Sequence, residues 1–125
     1  MPIRVLIVDD TESLRELMCS HVCGRDMEVV GEAADGLQAV GLARETQPDA
    51  IILDVEMPVM DGLQALPGLL DAAPNTKVVV FSSRTDAATE QAAYARGAAG
   101  FFYKGRSQSG EVVDFVQTLF AGGGD

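Results

Sequence analysis

Carboxylate side chains stand at the ends of two short apolar runs. Asp9 and Asp10 follow the run from Ile3 to Val8, and Asp54 follows the fully apolar run from Ala50 to Leu53. Such runs are typical of strands buried in a parallel sheet, and ligands bind at the carboxyl edge of open α/β sheets. Three carboxylates in one pocket repel one another unless a cation lies among them, and oxygen ligands of this kind suit Mg²⁺. We therefore predict a magnesium pocket at this edge.

Two further apolar runs end in polar residues of a different kind. Ser82 and Ser83 follow a run that begins at Lys77, and Lys104 follows the run from Gly100 to Tyr103. A lysine and a hydroxyl are the groups that the oxygens of a phosphoryl group need. Taken separately, the acidic pair could be a helix cap, the serine pair a turn and the lysine a solvated charge. At one sheet edge, the combination predicts phosphoryl transfer onto an aspartate.

Strand patterns alternate with helix patterns along the whole chain. The predicted strands are 3–8, 27–32, 50–53, 77–81 and 100–103, and the predicted helices are 11–23, 36–46, 62–71, 86–96 and 108–120. Crossovers of this length favour right-handed βαβ units and a doubly wound α/β fold with a five-stranded parallel sheet. No glycine-rich dinucleotide fingerprint follows the first strand. Pro67-Gly68 predicts an interrupted or kinked third helix.

Helical periodicity predicts which faces of the first two helices pack inward. In the first helix the apolar positions at helical spacing are Leu14, Leu17, Met18, His21 and Val22. In the second helix we expect Leu37 and Val40 to point inward, with Ala43 or Leu42. His21 is interpreted as a packing residue, and as the only histidine it leaves any histidine chemistry to a partner.

Length and composition indicate one globular domain. The chain has 125 residues, a net charge of −10 and 47% hydrophobic residues. The charge argues against nonspecific binding to nucleic acids or anionic membranes, and no apolar run reaches transmembrane length. With no signal peptide recognised, we expect a cytoplasmic protein with a domain over 1–121 and a flexible glycine-rich tail over 122–125.

Cys19, His21 and Cys23 invite a metal interpretation. On a helix, however, His21 would point away from the face that carries both cysteines. Two reduced thiols on a packed helix flank are the favoured interpretation, and a metal or redox role is the alternative.

The residues at the predicted sheet edge resemble the receiver domain of two-component response regulators. The resemblance extends over about Ile3 to Phe120 and rests on one set of motifs: Asp9-Asp10, the run Asp54-x-x-Met57-Pro58-x-Met60-Asp61-Gly62, Ser82 and Lys104. It implies a flavodoxin-like fold with strand order 2-1-3-4-5 and Mg²⁺ as cofactor. It also implies phosphorylation by a sensor histidine kinase or a histidine phosphotransfer protein.

The same resemblance implies roles for the acidic residues. Asp54 would be the phosphoacceptor, and Asp10 would bind Mg²⁺ directly. Asp9 would bind the ion through water, with Asp54 and the backbone carbonyl of Glu56 completing the protein ligands.

The remaining pocket residues would respond to the phosphoryl group. Lys104 would pair with its oxygens, and the Ser82 hydroxyl would move toward it. Phe101 would be the switch aromatic that turns inward as the serine moves, although an ordinary apolar strand residue is the alternative. Glu56 and Arg84 would flank the pocket and tune the phosphoryl lifetime.

One position departs from the family pattern. The lysine is usually followed by a proline in a cis peptide, but Gly105 follows Lys104 here. A cis bond without proline costs about 3 kcal/mol, so we expect a trans and more mobile loop. Phe101 also lacks the hydroxyl of the tyrosine that many relatives carry.

Local similarities point to two kinds of receiver. The segments around Asp54 and Ser82 are similar to receivers of chemotaxis methylesterases, whereas residues 99–105 are closer to receivers attached to helix-turn-helix output domains. The favoured function is a non-enzymatic signalling switch, monomeric or dimerising on phosphorylation. It would control an unidentified protein through helix four, strand five and helix five.

Three alternatives to this function are considered. The chain could be a receiver fragment of a larger methylesterase or DNA-binding regulator. A Mg²⁺-dependent phosphatase is disfavoured because its nucleophilic aspartate would more naturally follow the first strand, and a flavodoxin-like carrier because no phosphate-binding loop follows that strand.

Overall fold

The computed structural model describes residues 2–84 and 86–121, and these form five strands and five helices in strict alternation. The strands are β1 (Ile3–Val8), β2 (Met27–Ala33), β3 (Ala50–Leu53), β4 (Lys77–Ser82) and β5 (Gly100–Tyr103). The helices are α1 (Glu12–Val22), α2 (Gly36–Thr46), α3 (Gly62–Ala72), α4 (Ala87–Ala95) and α5 (Ser109–Phe120). The predicted class and number of elements are confirmed.

The five strands make one parallel sheet in the order β2-β1-β3-β4-β5. The register pairs Val8 of β1 with Leu53 of β3 and pairs Leu53 with Val80 of β4. The backbone N–H of Asp54 continues this ladder by donating to the carbonyl oxygen of Val8 at 2.9 Å. The residues that follow these strands are therefore brought to one edge, as the sequence predicted.

Each face of the sheet carries its own apolar layer. Leu6 and Val8 pack with α2 and α3 on one face, whereas Val5 and Ile7 pack with α1 and α5 on the other. Side chains alternate across a strand, so β1 is buried on both faces, and its last four residues are at most 1% exposed. Burial on both faces makes the ends of β1 and β3 rigid supports for the residues that follow.

The sequence prediction was wrong about two leucines. Leu37 is 60% exposed and Leu17 is 47% exposed. The buried stripe of α2 is formed by Ala39 and Ala43, four residues apart and so on one face. Leu37 lies outside this stripe, and Leu17 likewise lies outside the buried stripe of α1, whose buried residues are Met18 and Val22.

The predicted interruption of the third helix was also wrong, because α3 continues through Pro67. Proline has no N–H, so the carbonyl of the residue four positions earlier loses its helical donor. That residue is Leu63, and its carbonyl oxygen accepts a hydrogen bond from Nη1 of Arg96 at 2.6 Å. A side chain that follows α4 thus satisfies the carbonyl that Pro67 leaves free.

Arg96→Met is expected to lower the free energy of unfolding by about 1 kcal/mol, since it removes this hydrogen bond. The effect should shrink in a Pro67→Ala background, where the alanine N–H can take over as donor. Urea unfolding of the parent, both single variants and the double variant measures this coupling. Strictly additive effects would contradict the assigned role of Arg96.

None of the helices in the described ranges has the length and apolar character needed to span a bilayer.

Candidate functional site

An open cavity of about 830 Å³ lies at the carboxyl edge of the sheet. The side chains around it come from the ends of β1, β3, β4 and β5, and they include Asp10, Asp54, Glu56, Ser83, Arg84 and Lys104. The sheet register explains this convergence, because parallel strands end together. Five of the predicted site residues line this cavity, namely Asp10, Asp54, Glu56, Arg84 and Lys104, whereas Asp9, Ser82 and Phe101 are not in its lining.

Three carboxylates converge at this edge. Asp9, Asp10 and Asp54 each offer an oxygen, and these atoms lie within 4.8 Å of one another. Asp9 is 5% exposed and Asp54 is 3% exposed, while Asp10 is exposed. Among the described residues this is the one convergent group of three or more histidine, cysteine, aspartate or glutamate side chains.

Lys104 is the cation that balances this cluster. Its Nζ donates to Oδ2 of Asp9 at 2.8 Å and lies 3.3 Å from Oδ1 of Asp54. Burial alone would lower the lysine pKa, but the hydrogen bond to Asp9 and the charge of Asp54 outweigh it, so the pKa of Lys104 is raised. Lys104 remains protonated at neutral pH.

Asp54 is left with an incompletely satisfied charge. Its Oδ1 is buried and makes no hydrogen bond of good geometry, because the contact with Lys104 is close but poorly directed. Burial and the charge of Asp9 raise the pKa of Asp54 to about 7, and the charge of Lys104 opposes this shift. Without a further cation, Asp54 is only partly ionised at neutral pH.

The donor set fits a hard divalent cation. Both carboxylate oxygens of Asp9 already accept hydrogen bonds, Oδ1 from the Thr11 N–H at 2.8 Å and Oδ2 from Lys104. Asp10 and the unsatisfied Oδ1 of Asp54 are therefore free to bind an ion. Mg²⁺ characteristically takes one or two carboxylates directly and keeps several waters, which matches this arrangement.

Ser82 and Phe101 both lie behind the cavity wall. Ser82 is fully buried, and its Oγ accepts a hydrogen bond from the Arg84 N–H at 3.0 Å, whereas Ser83 lines the cavity itself. Phe101 is 9% exposed and packs with Ala93 of α4 and edge-to-face with Tyr103, at 5.1 Å between ring centroids. The aromatic ring is therefore already directed inward.

Arg84 and Glu56 are exposed residues of the cavity rim. The Arg84 side chain is 48% exposed, and its Nε lies 3.4 Å from Oδ1 of Asp86, the residue that caps α4. Hydrogen bonds from Thr89 are the main cause of the lowered pKa of Asp86, to which Arg84 adds its charge. The rim thus touches the start of α4.

The loop after β3 contains a strained residue. Val59 has a φ of 68° and is 77% exposed, and the Met60 N–H donates to the carbonyl of Pro58 at 2.7 Å across it. This is a three-residue turn with positive φ, a rare conformation that is especially unfavourable for a β-branched residue. No pattern in the sequence predicts this strain.

The peptide bond after Lys104 is trans, as the sequence predicted. The described peptide bonds are all trans, including the bond from Lys104 to Gly105. The Lys104 N–H donates to the carbonyl of Ser82 at 2.8 Å, so the lysine backbone is anchored to the end of β4. The lysine therefore reaches the acidic cluster without a cis peptide after it.

The cysteines take no part in this site. Cys19 is half-buried and Cys23 is exposed, and both thiols are free. Burial is the main cause of the raised pKa of Cys19, so its thiol is less reactive than usual. The packing interpretation is the one that this geometry favours.

Comparison with known proteins agrees with this geometry. The sequence matches the family model of the response regulator receiver domain over residues 5–116. The protein-glutamate methylesterase/protein-glutamine glutaminase of Maricaulis maris is 42% identical over 111 residues, 88% of this chain but 28% of that protein. The chain thus spans under a third of this relative's length.

A relative of similar size and a solved structure point the same way. The chemotaxis protein CheY of Listeria monocytogenes is 38% identical over 102 residues, 82% of this chain and 86% of that protein. The crystal structure of the CheX–CheY–BeF₃–Mg²⁺ complex from Borrelia burgdorferi has a TM-score of 0.87 at 26% identity, covering 96% of this chain and 90% of that one. By its sequence, its strand order and its acidic sheet edge, the chain belongs to the receiver domain family of response regulators.

Proposed function

We propose that this receiver domain is a phosphorylation-activated switch in which Asp54 accepts a phosphoryl group from a phosphohistidine. The phosphodonor would be a sensor histidine kinase or a histidine phosphotransfer protein. One observation carries the proposal: Oδ1 of Asp54 is buried without a hydrogen-bond donor, beside an open cavity and 3.3 Å from Nζ of Lys104. An unsatisfied buried carboxylate oxygen is unfavourable for stability but suits an acceptor.

The acceptor chemistry follows from the groups at the cavity. An oxygen of the Asp54 carboxylate attacks phosphorus as the bond from phosphorus to the histidine nitrogen breaks, and the imidazole leaves and takes up a proton. Lys104 can turn from Asp9 to the incoming phosphoryl oxygens, which keeps its charge paired throughout. In such transfers, catalysis is mainly positioning and charge stabilisation.

A bound Mg²⁺ would neutralise negative charge on the carboxylates and on the transferred group. Asp10 and Asp54 are proposed as direct ligands, Asp9 as a ligand through water and Glu56 through its backbone carbonyl. Support comes from the two hydrogen bonds that already occupy Asp9. The BeF₃ and Mg²⁺ named for the Borrelia complex support the proposal that a receiver domain of this kind takes up Mg²⁺.

The proposed output is a change of the face formed by α4, β5 and α5. The Ser82 hydroxyl would break its hydrogen bond with the Arg84 N–H and bind the phosphoryl group instead. Phe101 would then change its packing against α4. Support comes from the contacts that join them: Ser82 accepts from Arg84 and from the Lys104 backbone, and Phe101 packs on Ala93. Phosphorylation would thus bias a two-state equilibrium that an unidentified downstream protein reads.

The chain is proposed to act as a regulator, with no catalysis beyond its own phosphorylation and dephosphorylation. Direct nucleic-acid or membrane binding is not proposed. The proposed location is the cytoplasm. The proposed oligomeric state is a monomer or a dimer that forms on phosphorylation. A receiver segment of a larger methylesterase or DNA-binding regulator is the second candidate. The methylesterase relative, of which this chain spans 28%, favours it.

Intact mass spectrometry after incubation with acetyl phosphate tests the proposal. We expect one phosphoryl adduct with Mg²⁺ and little or none when the metal is chelated. Absence of an adduct under both conditions would contradict phosphoryl acceptance by this domain.

Mg²⁺ at millimolar concentration is expected to raise the melting temperature of the parent by several degrees. The bound ion relieves repulsion among Asp9, Asp10 and Asp54. Because this site exists only in the folded state, binding stabilises that state by mass action. Differential scanning calorimetry with and without Mg²⁺ measures the shift. Asp10→Asn should reduce it, and an equal shift in that variant would argue against the assigned ligands.

Arg84→Ala is expected to shorten the lifetime of the phosphorylated state by roughly two- to tenfold, equivalent to about 0.4–1.4 kcal/mol in barrier height. The long side chain at the cavity rim restricts the approach of hydrolytic water, and alanine opens that path. Its loss should change stability by less than about 1 kcal/mol, because its ion pair with Asp86 is exposed. Phosphate release after removal of the donor gives the rate, and Arg44→Ala is the control for charge. An unchanged or longer lifetime would discard this role.

A further inference from the structure

Arg15 of α1 makes two directed contacts just behind the acidic cluster. Its Nη1 donates to the backbone carbonyl of Asp9 at 2.6 Å, and its Nε donates to Oε1 of Glu32 on β2 at 3.3 Å. The side chain is only 17% exposed. A guanidinium held by a carboxylate on one side has a fixed direction for its remaining N–H groups.

The carbonyl that Arg15 binds lies at a break between regular elements. Strand β1 ends at Val8, and the first backbone bonds of α1 go to the carbonyl of Thr11, which accepts from Leu14 and Arg15. Asp9 lies between these ladders. A side chain therefore supplies the hydrogen bond that organises the connection at this carbonyl.

Fixing the Asp9 carbonyl also fixes the orientation of the backbone from which the Asp10 side chain projects. The carbonyl of Asp9 and the N–H and Cα of Asp10 belong to one planar peptide unit. The carboxylate of Asp9 is held by Thr11 and Lys104. Its backbone is held by Ala33 and Arg15. Asp10, in contrast, is exposed. The orientation of Asp10 thus depends on its backbone more than on contacts of its own carboxylate.

We infer that Arg15, oriented by Glu32, is a positioning residue that aims the Asp10 carboxylate at the divalent cation. This inference rests on the proposed function, because it assigns Arg15 to the metal site of the same pocket. Arg15 is placed behind the connection, bonded to its backbone, and does not itself bind the ion. Removal of the Arg15 side chain should loosen Asp10 and weaken Mg²⁺ binding, while phosphorylation of Asp54 at saturating Mg²⁺ is little changed.

A purely structural role for Arg15 predicts a different result. In that case its loss would lower the melting temperature and leave the Mg²⁺ affinity of the folded protein unchanged. The positioning role predicts a change in Mg²⁺ affinity. Net charge is a separate effect, since removal of any cation from this acidic chain would by itself strengthen binding of Mg²⁺.

The test is isothermal titration calorimetry with Mg²⁺ alone on four proteins: the parent, Arg15→Ala, Arg15→Lys and Arg44→Ala. Arg44 is exposed on α2 and provides the same change of charge. We expect the dissociation constant to rise about five- to twentyfold for Arg15→Ala, equivalent to about 1–1.8 kcal/mol. Arg15→Lys should recover part of this loss, because an ammonium can reach the carbonyl but lacks the fork that also holds Glu32. Arg44→Ala should bind as the parent does or slightly more tightly.

Phosphorylation kinetics provide a second readout. With acetyl phosphate, Arg15→Ala should need more Mg²⁺ for half-maximal rate and approach the parental rate at saturating Mg²⁺. If Arg15→Ala proves unstable, Glu32→Gln weakens the orientation of Arg15 while keeping its side chain. It should raise the Mg²⁺ dissociation constant about two- to fivefold relative to Glu28→Gln, which removes the same charge from an exposed position of β2. Parental Mg²⁺ affinity in folded Arg15→Ala and in Glu32→Gln would overturn the inference. Failure of the parent itself to bind Mg²⁺ would instead contradict the proposed function.

Discussion

Replacement of Asp54 by asparagine is expected to stabilise the metal-free protein while it removes the phosphoryl acceptor. The ionised carboxylate is buried beside Asp9, and its pKa is raised to about 7. The displacement from 3.8 to about 7 corresponds to at most about 4 kcal/mol above neutral pH. Water in the open cavity screens part of this, so we expect a gain of about 2 kcal/mol.

The pH dependence of stability gives the sign of this effect. The folded state holds the Asp54 proton more tightly than the unfolded chain does, so the contribution is fully present below the unfolded pKa of 3.8. It is lost as the pH rises toward about 7. Between about pH 5 and pH 8 the metal-free parent should therefore lose stability that Asp54→Asn retains.

Urea unfolding with a chelator at both pH values measures this difference. Asp71→Asn is the matched control, because Asp71 is an exposed carboxylate at the end of α3 and its loss changes the net charge equally. Mg²⁺ should reduce the difference in the free energy of unfolding between the parent and Asp54→Asn. Equal or lower stability of Asp54→Asn at about pH 8 would show that Asp54 is not strained by its charge.

Gly62→Ala is expected to destabilise the protein by about 3 kcal/mol and to impair phosphorylation as well. A Cβ at Gly62 would overlap the backbone carbonyl oxygen of Asp54 and lie 2.9 Å from the Cα of Val55. Neither backbone atom can move without displacing the end of β3, because the Gly62 N–H also donates to the Val55 carbonyl at 2.8 Å. The substitution therefore pushes directly on the acceptor residue.

Gly41→Ala provides the matched control for this variant. Gly41 lies inside α2, and a Cβ there would meet nothing within 4 Å. Alanine is favoured over glycine in a helix interior by about 1 kcal/mol, so this variant should be slightly more stable than the parent. Chemical unfolding and the initial rate with acetyl phosphate compare the two. Parental stability and rate in Gly62→Ala would contradict the close packing of α3 against the end of β3.

The sheet was predictable because its strands are short, apolar and bounded by polar residues. Burial on both faces leaves one interpretation for the runs that end at Val8 and Leu53, and the register then brings Asp9 and Asp54 together. The orientation of Leu37 was not predictable, because a helix with alanines at Ala39 and Ala43 can pack on small side chains and leave a leucine exposed. Helix packing is decided by the partner surface as well as by periodicity.

Long-range side-chain contacts were beyond the reach of the sequence. Pro67 leaves the carbonyl of Leu63 without its helical donor, and this predicts a broken helix only if no other donor is near. The donor is Arg96, 33 residues away from Leu63 in the sequence. Arg15 likewise looks like an ordinary charged helix residue until the fold places it against Asp9. The partner of the Ser82 hydroxyl was not predictable either, because the turn after β4 brings the Arg84 N–H to it.

The central claim is that the Asp54 carboxylate itself carries the phosphoryl group. Borohydride reduces an acyl phosphate to an alcohol, so a phosphorylated aspartate becomes homoserine and can be located by peptide mass spectrometry. After incubation with acetyl phosphate and Mg²⁺, we predict homoserine at position 54 of the parent and none in Asp54→Asn. Homoserine at Asp9 or Asp10 instead, or a stable adduct that borohydride does not reduce, would contradict the account.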